Sequence, residues 1–265
     1  MAVLCSSEKL LFIMVPGTGC SVVGNYLIEH FDGQHLPEFD IVFEGKVIVD
    51  KKHNTISELL EHGLLTPELM SNYFSFATVR NPYDRLVTYY QRFVGGWMEE
   101  YFKWTNREYV RLESKLNTNQ LQEWRKWQVK MIKVKKRRIK LAKLFGFNMW
   151  FIFTIIKWRL KGYSNASDSF FNFLFPMLNG VKYVIRYEKL PEGLDHVLLT
   201  NEIDHCVDLP VANQTHGKHH YTTYYNWVSK LIGSYVMKKA LRDVGYDFNG
   251  PIDSRLLIDT TTFNR

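Results

Sequence analysis

A short turn near the start of the chain carries residue types that bind anions. Its members are Pro16, Gly17, Thr18, Gly19, Cys20 and Ser21. Glycines let the backbone turn sharply, so that several N–H groups point at one bound group, and a following helix adds the positive end of its dipole. The residues predict a phosphate cradle, although an ordinary strand–turn–helix connection has the same glycine content. The cradle is not that of an ATPase, because no Gly-Lys-Ser or Gly-Lys-Thr follows the glycines.

The residues on either side of this turn predict an α/β fold. Residues 10–15 form an apolar run typical of a buried strand, and apolar residues recur at helical spacing over 22–31. Residues 73–79 predict another buried strand, which ends at Arg80. Strands that alternate with helices indicate a central parallel sheet, here of about four to five strands, flanked by helices.

Three polar residues follow predicted strands. Ser21 follows the first strand, His53 follows a short strand over 46–50, and Arg80 follows the strand over 73–79. Ligands of parallel sheets bind at the carboxyl ends of the strands. We therefore expect these three side chains to share one rim of the sheet.

The second half of the chain returns to the same alternation after a break. Residues 181–187 predict a buried strand, and residues 222–244 predict a helix. The spacing of apolar residues in that helix predicts that six side chains face inward: Tyr225, Val228, Leu231, Ile232, Tyr235 and Leu241.

Several segments resemble one family of enzymes. Residues 76–88, FATVRNPYDRLVT, resemble the 3′-phosphate-binding segment of sulfotransferases that use 3′-phosphoadenosine 5′-phosphosulfate (PAPS). That segment is a strand ending in Arg-Asn-Pro-x-Asp-Arg, with a hydroxyl residue eight positions after the first Arg. Residues 16–21 are similar to the family's 5′-phosphosulfate loop, and residues 184–190 to its strand ending in Tyr/Phe-Glu-Asp-Leu. Residues 209–215 and 245–248 resemble the C-terminal region of the carbohydrate-type branch.

The resemblance implies a P-loop NTPase-like sulfotransferase fold and a role for each matched residue. The loop 16–21 would hold the 5′-phosphosulfate group. Arg80 and Thr88 would hold the 3′-phosphate, since a guanidinium pairs a phosphate bidentately and a hydroxyl adds a donor. Tyr187 would lie near the adenine, and Lys218 is a weaker candidate for the 3′-phosphate.

The resemblance also implies a mechanism, from which the chain departs at one position. A histidine after the second strand is the general base in many members, and His53 lies 27 residues before Arg80 at such a junction. A solvated histidine beside Lys51 and Lys52 is the alternative interpretation. The family's loop carries a Lys directly after its Pro, whereas this chain has Gly17. Lys51 and Lys52 are the nearest candidates in sequence for the missing charge.

Three functions follow from the resemblance. The first is an active sulfotransferase that moves a sulfonate group from PAPS to a hydroxyl or amine of a small-molecule acceptor. The second is a carbohydrate O-sulfotransferase with a saccharide acceptor. The third is a PAPS-binding protein of the same fold whose chemistry is impaired, a hypothesis that rests on Gly17.

Residues 97–166 match no family segment and predict a helical insertion in a single domain spanning 1–265, whose core covers 9–94 and 170–250. Between Lys103 and Lys161 there are 17 Lys and Arg residues against three acids. A lid over the acceptor pocket is the favoured interpretation. Peripheral membrane contact through 133–161 remains the alternative, and no nucleic-acid partner is expected.

The cysteine count and the N-terminal residues help to predict the cellular compartment of the protein. Three cysteines at irregular spacing fit neither a disulfide framework nor a zinc site, and no metal is expected. No signal peptide is recognisable, and the apolar run 144–156 is shorter than the roughly 20 residues that span a bilayer. A cytoplasmic location is therefore expected.

Overall fold

The structure is a computed structural model, and it describes residues 2–43, 46–49, 53–114, 117–160, 175–210 and 219–260. Three candidate site residues, Lys51, Lys52 and Lys218, lie outside these ranges.

The described residues form eight β-strands, eight α-helices and three short 3₁₀ turns. The strands are β1 (Ala2–Cys5), β2 (Leu10–Ile13), β3 (Gln34–Leu36), β4 (Ile41–Phe43), β5 (Lys46–Val49), β6 (Phe74–Val79), β7 (Tyr183–Arg186) and β8 (Leu257–Asp259). The α-helices are α1 (Cys20–His30), α2 (Ile56–Glu61), α3 (Pro67–Asn72), α4 (Pro82–Gly95), α5 (Trp97–Glu113), α6 (Thr118–Leu160), α7 (Leu190–Thr200) and α8 (Trp227–Asp243). Short 3₁₀ turns occupy Pro176–Leu178, Tyr187–Lys189 and Tyr221–Tyr224.

Six strands form the main sheet in the order β3-β1-β2-β6-β7-β8. The β2–β6 and β6–β7 pairs are parallel, whereas β1, β3 and β8 join antiparallel to their neighbours. The α/β class with a parallel core is thus confirmed. The parallel part has three strands rather than the four to five predicted. The connection between β1 and β2 is too short for a parallel crossover, so these two strands form a hairpin.

The strand predicted over 46–50 is wrong in its placement. β5 pairs antiparallel with β4 in a separate two-stranded sheet and is not a strand of the main sheet. Only residues 44–45 separate the two strands, and so short a connection permits a hairpin but no crossover.

Both faces of the main sheet are covered by helices. Leu10 and Phe12 of β2 belong to an apolar cluster with α1 and α7, whereas Leu11 and Ile13 belong to a cluster with α4, α6 and α8. Alternate side chains of a strand point to opposite faces, so a strand covered on both sides is apolar at every position. All four residues of β2 are accordingly buried.

The segment 97–166 contributes two long helices, α5 and α6. Helix α6 is interrupted at Gly146, whose φ of 70° and ψ of 178° are not helical. After this kink, Phe147, Phe151 and Ile155 are buried against α4 and α8. By length and composition alone, Thr118–Lys157 is long and apolar enough to cross a membrane, and 28% of its most apolar window is buried. The apolar run 144–156 is only the C-terminal part of this longer segment.

The face that the C-terminal helix turns to the core matches the predicted one only in part, since Leu241 is buried as predicted but other residues are not. Leu231 and Tyr235 are 61% and 84% exposed, and Tyr225 precedes α8 and is half-buried. The residues that α8 buries are mostly small: Ser229, Gly233, Met237, Ala240 and Leu241. The cause is close packing, because a Cβ on Gly233 would lie 2.8 Å from the ring of Tyr83.

Candidate functional site

The turn between β2 and α1 has the backbone of an anion cradle. Gly17 and Gly19 both have φ of 76°, in the left-handed region that glycine adopts at little cost. Helix α1 begins at Cys20 with no side-chain cap and no acidic residue in its first turn. Because the first N–H groups of a helix have no partner within it, this N-terminus can donate to an anion. Ser21 is half-buried in that first turn.

The hydroxyl of Thr18 faces the protein interior. It donates to the carbonyl oxygen of Val15 at 2.7 Å and lies 2.6 Å from the hydroxyl of Thr78 on β6. Thr18 is fully buried, so its hydroxyl serves these interior contacts. The bond to Val15 closes the turn on itself, and the contact with Thr78 joins the turn to the neighbouring parallel strand.

Arg80 lies directly beside the turn. Its Nη1 donates to the carbonyl oxygen of Gly17 at 3.4 Å, and its Nε and Nη2 both lie 2.5 Å from Oδ2 of Asp84. The Arg80 guanidinium carbon also lies 4.4 Å from the ring centroid of Tyr187. Strand β6 ends at Val79, and Asn81 caps α4 through its side chain, so the strand end and the helix start together fix where Arg80 emerges.

Tyr187 closes the other side of the turn. A Cβ added to Gly19 would lie 2.9 Å from Cδ2 of Leu190 and 3.2 Å from Cε2 of Tyr187. The next residue, Glu188, accepts a hydrogen bond from the hydroxyl of Tyr246. Residues from three successive parallel strand ends, β2, β6 and β7, therefore meet at one place.

Arg85 is a site residue that was missed from the sequence. Its Cγ lies 3.6 Å from where a Cβ of residue 17 would be, so the Arg85 side chain packs against the turn at Gly17. Burial lowers the pKa of Arg85 to about 10, and the Cys20 thiol opposes that shift. Its guanidinium stays charged at neutral pH. The signal in the sequence was the second Arg of the matched segment, five residues after Arg80.

His53 lies near this edge of the sheet, but it is positioned by a contact to β3 and not by a strand of the main sheet that ends just before it. Its neighbour Asn54 is buried and donates to the carbonyl oxygen of Leu36 at 3.1 Å. Leu36 ends β3 and pairs with Ala2, which pairs with Ile13 at the end of β2. The half-buried His53 thus directly precedes a residue anchored at the carboxyl edge, with Leu36 two strand spacings, or about 10 Å, from β2.

Thr88 lies in the second turn of α4 and is 4% exposed. In this conformation it belongs to the buried face of the helix, whereas Arg80 lies at the helix start. The structure therefore brings Gly17, Gly19, Arg80 and Tyr187 together and places Thr88 deeper.

Metal ligands were not expected, and the described ranges contain no group of three or more His, Cys, Asp or Glu residues that could hold an ion. The histidines 219 and 220 are exposed and lie in the loop before the Tyr221–Tyr224 turn.

A parallel sheet with a glycine turn, an uncapped helix start and two arginines defines a class of phosphate-binding α/β proteins. Comparison with protein families matches residues 1–248 to the sulfotransferase family. The chain belongs to that family. No curated protein and no solved structure matches the chain.

Proposed function

We propose that the protein transfers the sulfonate group of PAPS to a hydroxyl or amine of a small-molecule acceptor. Family membership supports sulfotransfer in general. The observation that carries the proposal is the position of Arg80, whose guanidinium contacts both the carbonyl of Gly17 and the ring of Tyr187. An anion in the turn, a second phosphate at Arg80 and a base against Tyr187 match the three parts of an adenosine bisphosphate.

The turn is suited to the phosphosulfate end of PAPS. Its backbone N–H groups and the α1 N-terminus would hold the 5′-phosphate oxygens. The glycine at position 19 suits a bound phosphate, because a larger side chain there would contact Tyr187 and Leu190 and leave less space in the cradle. Small residues are therefore needed there for a phosphate to approach the backbone.

Arg85 is proposed to supply the charge that the absent loop Lys would have provided. In the reaction, the acceptor oxygen or nitrogen forms a bond to sulfur as the bond from sulfur to the bridging oxygen breaks. The electron pair of the broken bond stays on the 5′-phosphate of the departing adenosine 3′,5′-bisphosphate. A cation beside Gly17 stabilises the negative charge that gathers on that oxygen.

His53 is proposed to take the proton that the acceptor loses. Its anchoring through Asn54 at the carboxyl edge favours this role. For the acceptor, a soluble metabolite is preferred over a saccharide because the insertion is rich in aromatic residues.

A second candidate is a PAPS-binding protein whose chemistry is impaired. Gly17 favours it, because the family's loop has a Lys at this position. The two candidates agree on the ligand and differ only in turnover.

The test combines product binding with turnover. We expect adenosine 3′,5′-bisphosphate to bind by calorimetry, and Arg80→Ala to raise its Kd about 10- to 100-fold, since a hydrogen bond to a charged group contributes about 1.5–3 kcal/mol. Arg242→Ala, an exposed arginine at the end of α8, is the matched control and should bind as the unchanged protein does.

Turnover is measured as release of adenosine 3′,5′-bisphosphate from PAPS over a panel of hydroxyl and amine acceptors. Release that His53→Ala abolishes supports the transferase. Binding without release on any acceptor favours the impaired protein, and absence of binding contradicts both candidates.

A further inference from the structure

A cavity of about 500 Å³ lies between α4 and the kinked helix α6. This volume is in the range of pockets that bind small molecules. Its wall is largely aromatic and aliphatic and includes Phe93, Leu141, Phe145, Trp150 and Phe153. The kink at Gly146 turns the second half of α6 relative to the first, so residues from both halves line one concave surface.

One part of the wall is an aromatic stack. The ring centroids of Tyr89 and Phe93 lie 6.2 Å apart at an interplanar angle of 10°, and those of Tyr89 and Trp150 lie 6.1 Å apart at 25°. Flat, parallel rings offer continuous apolar area to a hydrocarbon chain or ring. Phe153 is 55% exposed, so this wall is open to a ligand.

The cavity also carries positive charge. Lys135, Arg138 and Lys157 line it, and no acidic residue is among its lining residues in the described part of the chain. Burial together with the nearby Arg138 lowers the pKa of Lys135, as expected where two cations share one side of a pocket. An anionic group placed there would relieve this repulsion.

The polar end of the cavity also includes a hydroxyl. Burial raises the pKa of Tyr89, and both Arg138 and Arg85 oppose the shift. The phenol is therefore protonated at neutral pH and able to donate a hydrogen bond. Tyr89 lies one helical turn after Arg85 on α4, so the cavity borders the residue that lies against Gly17.

We propose that this cavity binds one molecule of an anionic amphiphile, with its hydrocarbon chain against the aromatic wall and its acidic group at Arg138, Lys135 and Tyr89. The combination of an apolar wall with cations and a donor at one end is complementary to a chain carrying a carboxylate, sulfate or phosphate. The proposal does not depend on the sulfotransfer reaction. A bilayer would instead contact the convex apolar face of α6, where Leu144 is 73% exposed.

The experiment titrates the full-length protein with three probes by calorimetry. Dodecanoate has both a chain and a charge, dodecyl maltoside has the chain with a neutral head, and butyrate has the charge with almost no chain. We expect dodecanoate to bind one to one, and each of the other two to bind at least about tenfold more weakly, because each lacks one of the two interactions. Dodecanoate should also raise the Tm.

Two double variants separate local from general electrostatics. Lys135→Gln with Arg138→Gln should weaken dodecanoate binding at least about tenfold. The matched control, Arg137→Gln with Lys140→Gln, removes the same charge from exposed positions of the same helix outside the cavity and should change Kd less than about twofold.

Three results would overturn the proposal. The first is equal binding of dodecanoate and dodecyl maltoside. The second is an equal effect of the two double variants. The third is flotation with acidic phosphatidylglycerol vesicles by a protein that binds no monomeric dodecanoate, which would assign this surface to a membrane.

Discussion

At the scale of single residues, the site depends on which side chain lies beside Gly17. The Cβ of a Lys at that position would be in van der Waals contact with Cγ of Arg85, at 3.6 Å. The Lys would also need a φ of 76°, which non-glycine residues rarely adopt. We therefore propose that glycine in the loop and arginine in α4 are two parts of one arrangement, in which the cation would come from the neighbouring strand–helix unit.

Replacing Arg85 tests whether it is the catalytic cation. We expect Arg85→Gln to lower kcat about 100-fold or more, the effect of losing one donor that stabilises developing charge. Arg85→Lys should recover part of the rate, because it restores the charge without the planar fork. The measurement is release of adenosine 3′,5′-bisphosphate at saturating PAPS. Equal kcat in Arg85→Gln and the unchanged protein would exclude the role.

Gly19 offers a test of the cradle itself. Ala at this position would have its Cβ 2.9 Å from Leu190 at a φ of 76°. We expect Gly19→Ala to weaken adenosine 3′,5′-bisphosphate binding at least about tenfold and to cost about 1–2 kcal/mol of stability. Gly63→Ala is the control, since its φ is 67° and no atom lies within 4 Å of its Cβ. It should lose similar stability and keep full affinity.

The anion cradle and the importance of position 17 were predictable from the sequence, whereas the identity of the cation was not. Lys51 and Lys52 were proposed because they are adjacent to His53 in the chain. The choice of Arg85 requires knowing which way the first turn of α4 faces. That direction is set by the Asn81 cap and by the burial of Tyr83, neither of which determines a side-chain path from the sequence alone.

At the scale of elements, the start of helix α2 could be predicted from the sequence, whereas the strand that pairs with β5 could not. The capping box of Thr55 and Glu58 starts α2 as the sequence indicates, because its hydrogen bonds are made within four residues. The partner of β5 depends on the length of the connection before it, and the prediction ignored that length. His53 still lies near the carboxyl edge, but through the bond from Asn54 to β3.

The helix kink gives a prediction with an internal control. Gly146 has a φ of 70°, and Gly95 is a helical residue; a Cβ at either position would meet no atom within 4 Å. We expect Gly146→Ala to lower the free energy of unfolding by about 1–2 kcal/mol, because alanine resists left-handed backbone. Gly95→Ala should raise it by about 0.5–1 kcal/mol. Denaturant titration measures the free energy of unfolding of both variants. Stabilisation by Gly146→Ala would contradict a requirement for the positive φ at the kink.

At the scale of the whole molecule, one buried charge joins the sheet to the C-terminal segment. Arg186 ends β7 and is fully buried, and its Nη1 donates to the carboxylate of Asp253 at 2.7 Å and to the Asp253 carbonyl oxygen at 2.8 Å. Gly245 makes room for this arginine, since a Cβ there would lie 2.0 Å from Nη2. The residues after α8 therefore neutralise a buried charge at the end of β7.

This ion pair predicts a dependence of stability on pH. Hydrogen bonds from Arg186 and then Arg255 hold the pKa of Asp253 well below its usual range. The unfolded chain therefore binds more protons below pH of about 4, so the contribution of Asp253 is complete near neutral pH and is lost as the pH falls. We expect Asp253→Asn to lower the free energy of unfolding by about 1.5–3 kcal/mol at pH 7.

The comparison that checks this is the Tm of the two proteins between pH 7 and pH 3. The difference in Tm between the two proteins should shrink as the pH falls. Protonation of Asp253 in the unchanged protein removes the negative charge that the substitution has already removed. Asp208→Asn changes an exposed carboxylate and is the matched control. A difference that stays constant down to pH 3 would contradict the assignment.

The two residues of this ion pair are synthesised at different times during translation. Arg186 leaves the ribosome 67 residues before Asp253 does. The parallel strands β2, β6 and β7 and the glycine turn between β2 and α1 are therefore synthesised before the carboxylate that neutralises the end of β7. A nascent chain that stops short of residue 253 would have to bury an uncompensated guanidinium, so we expect the sheet to close only when translation is nearly complete.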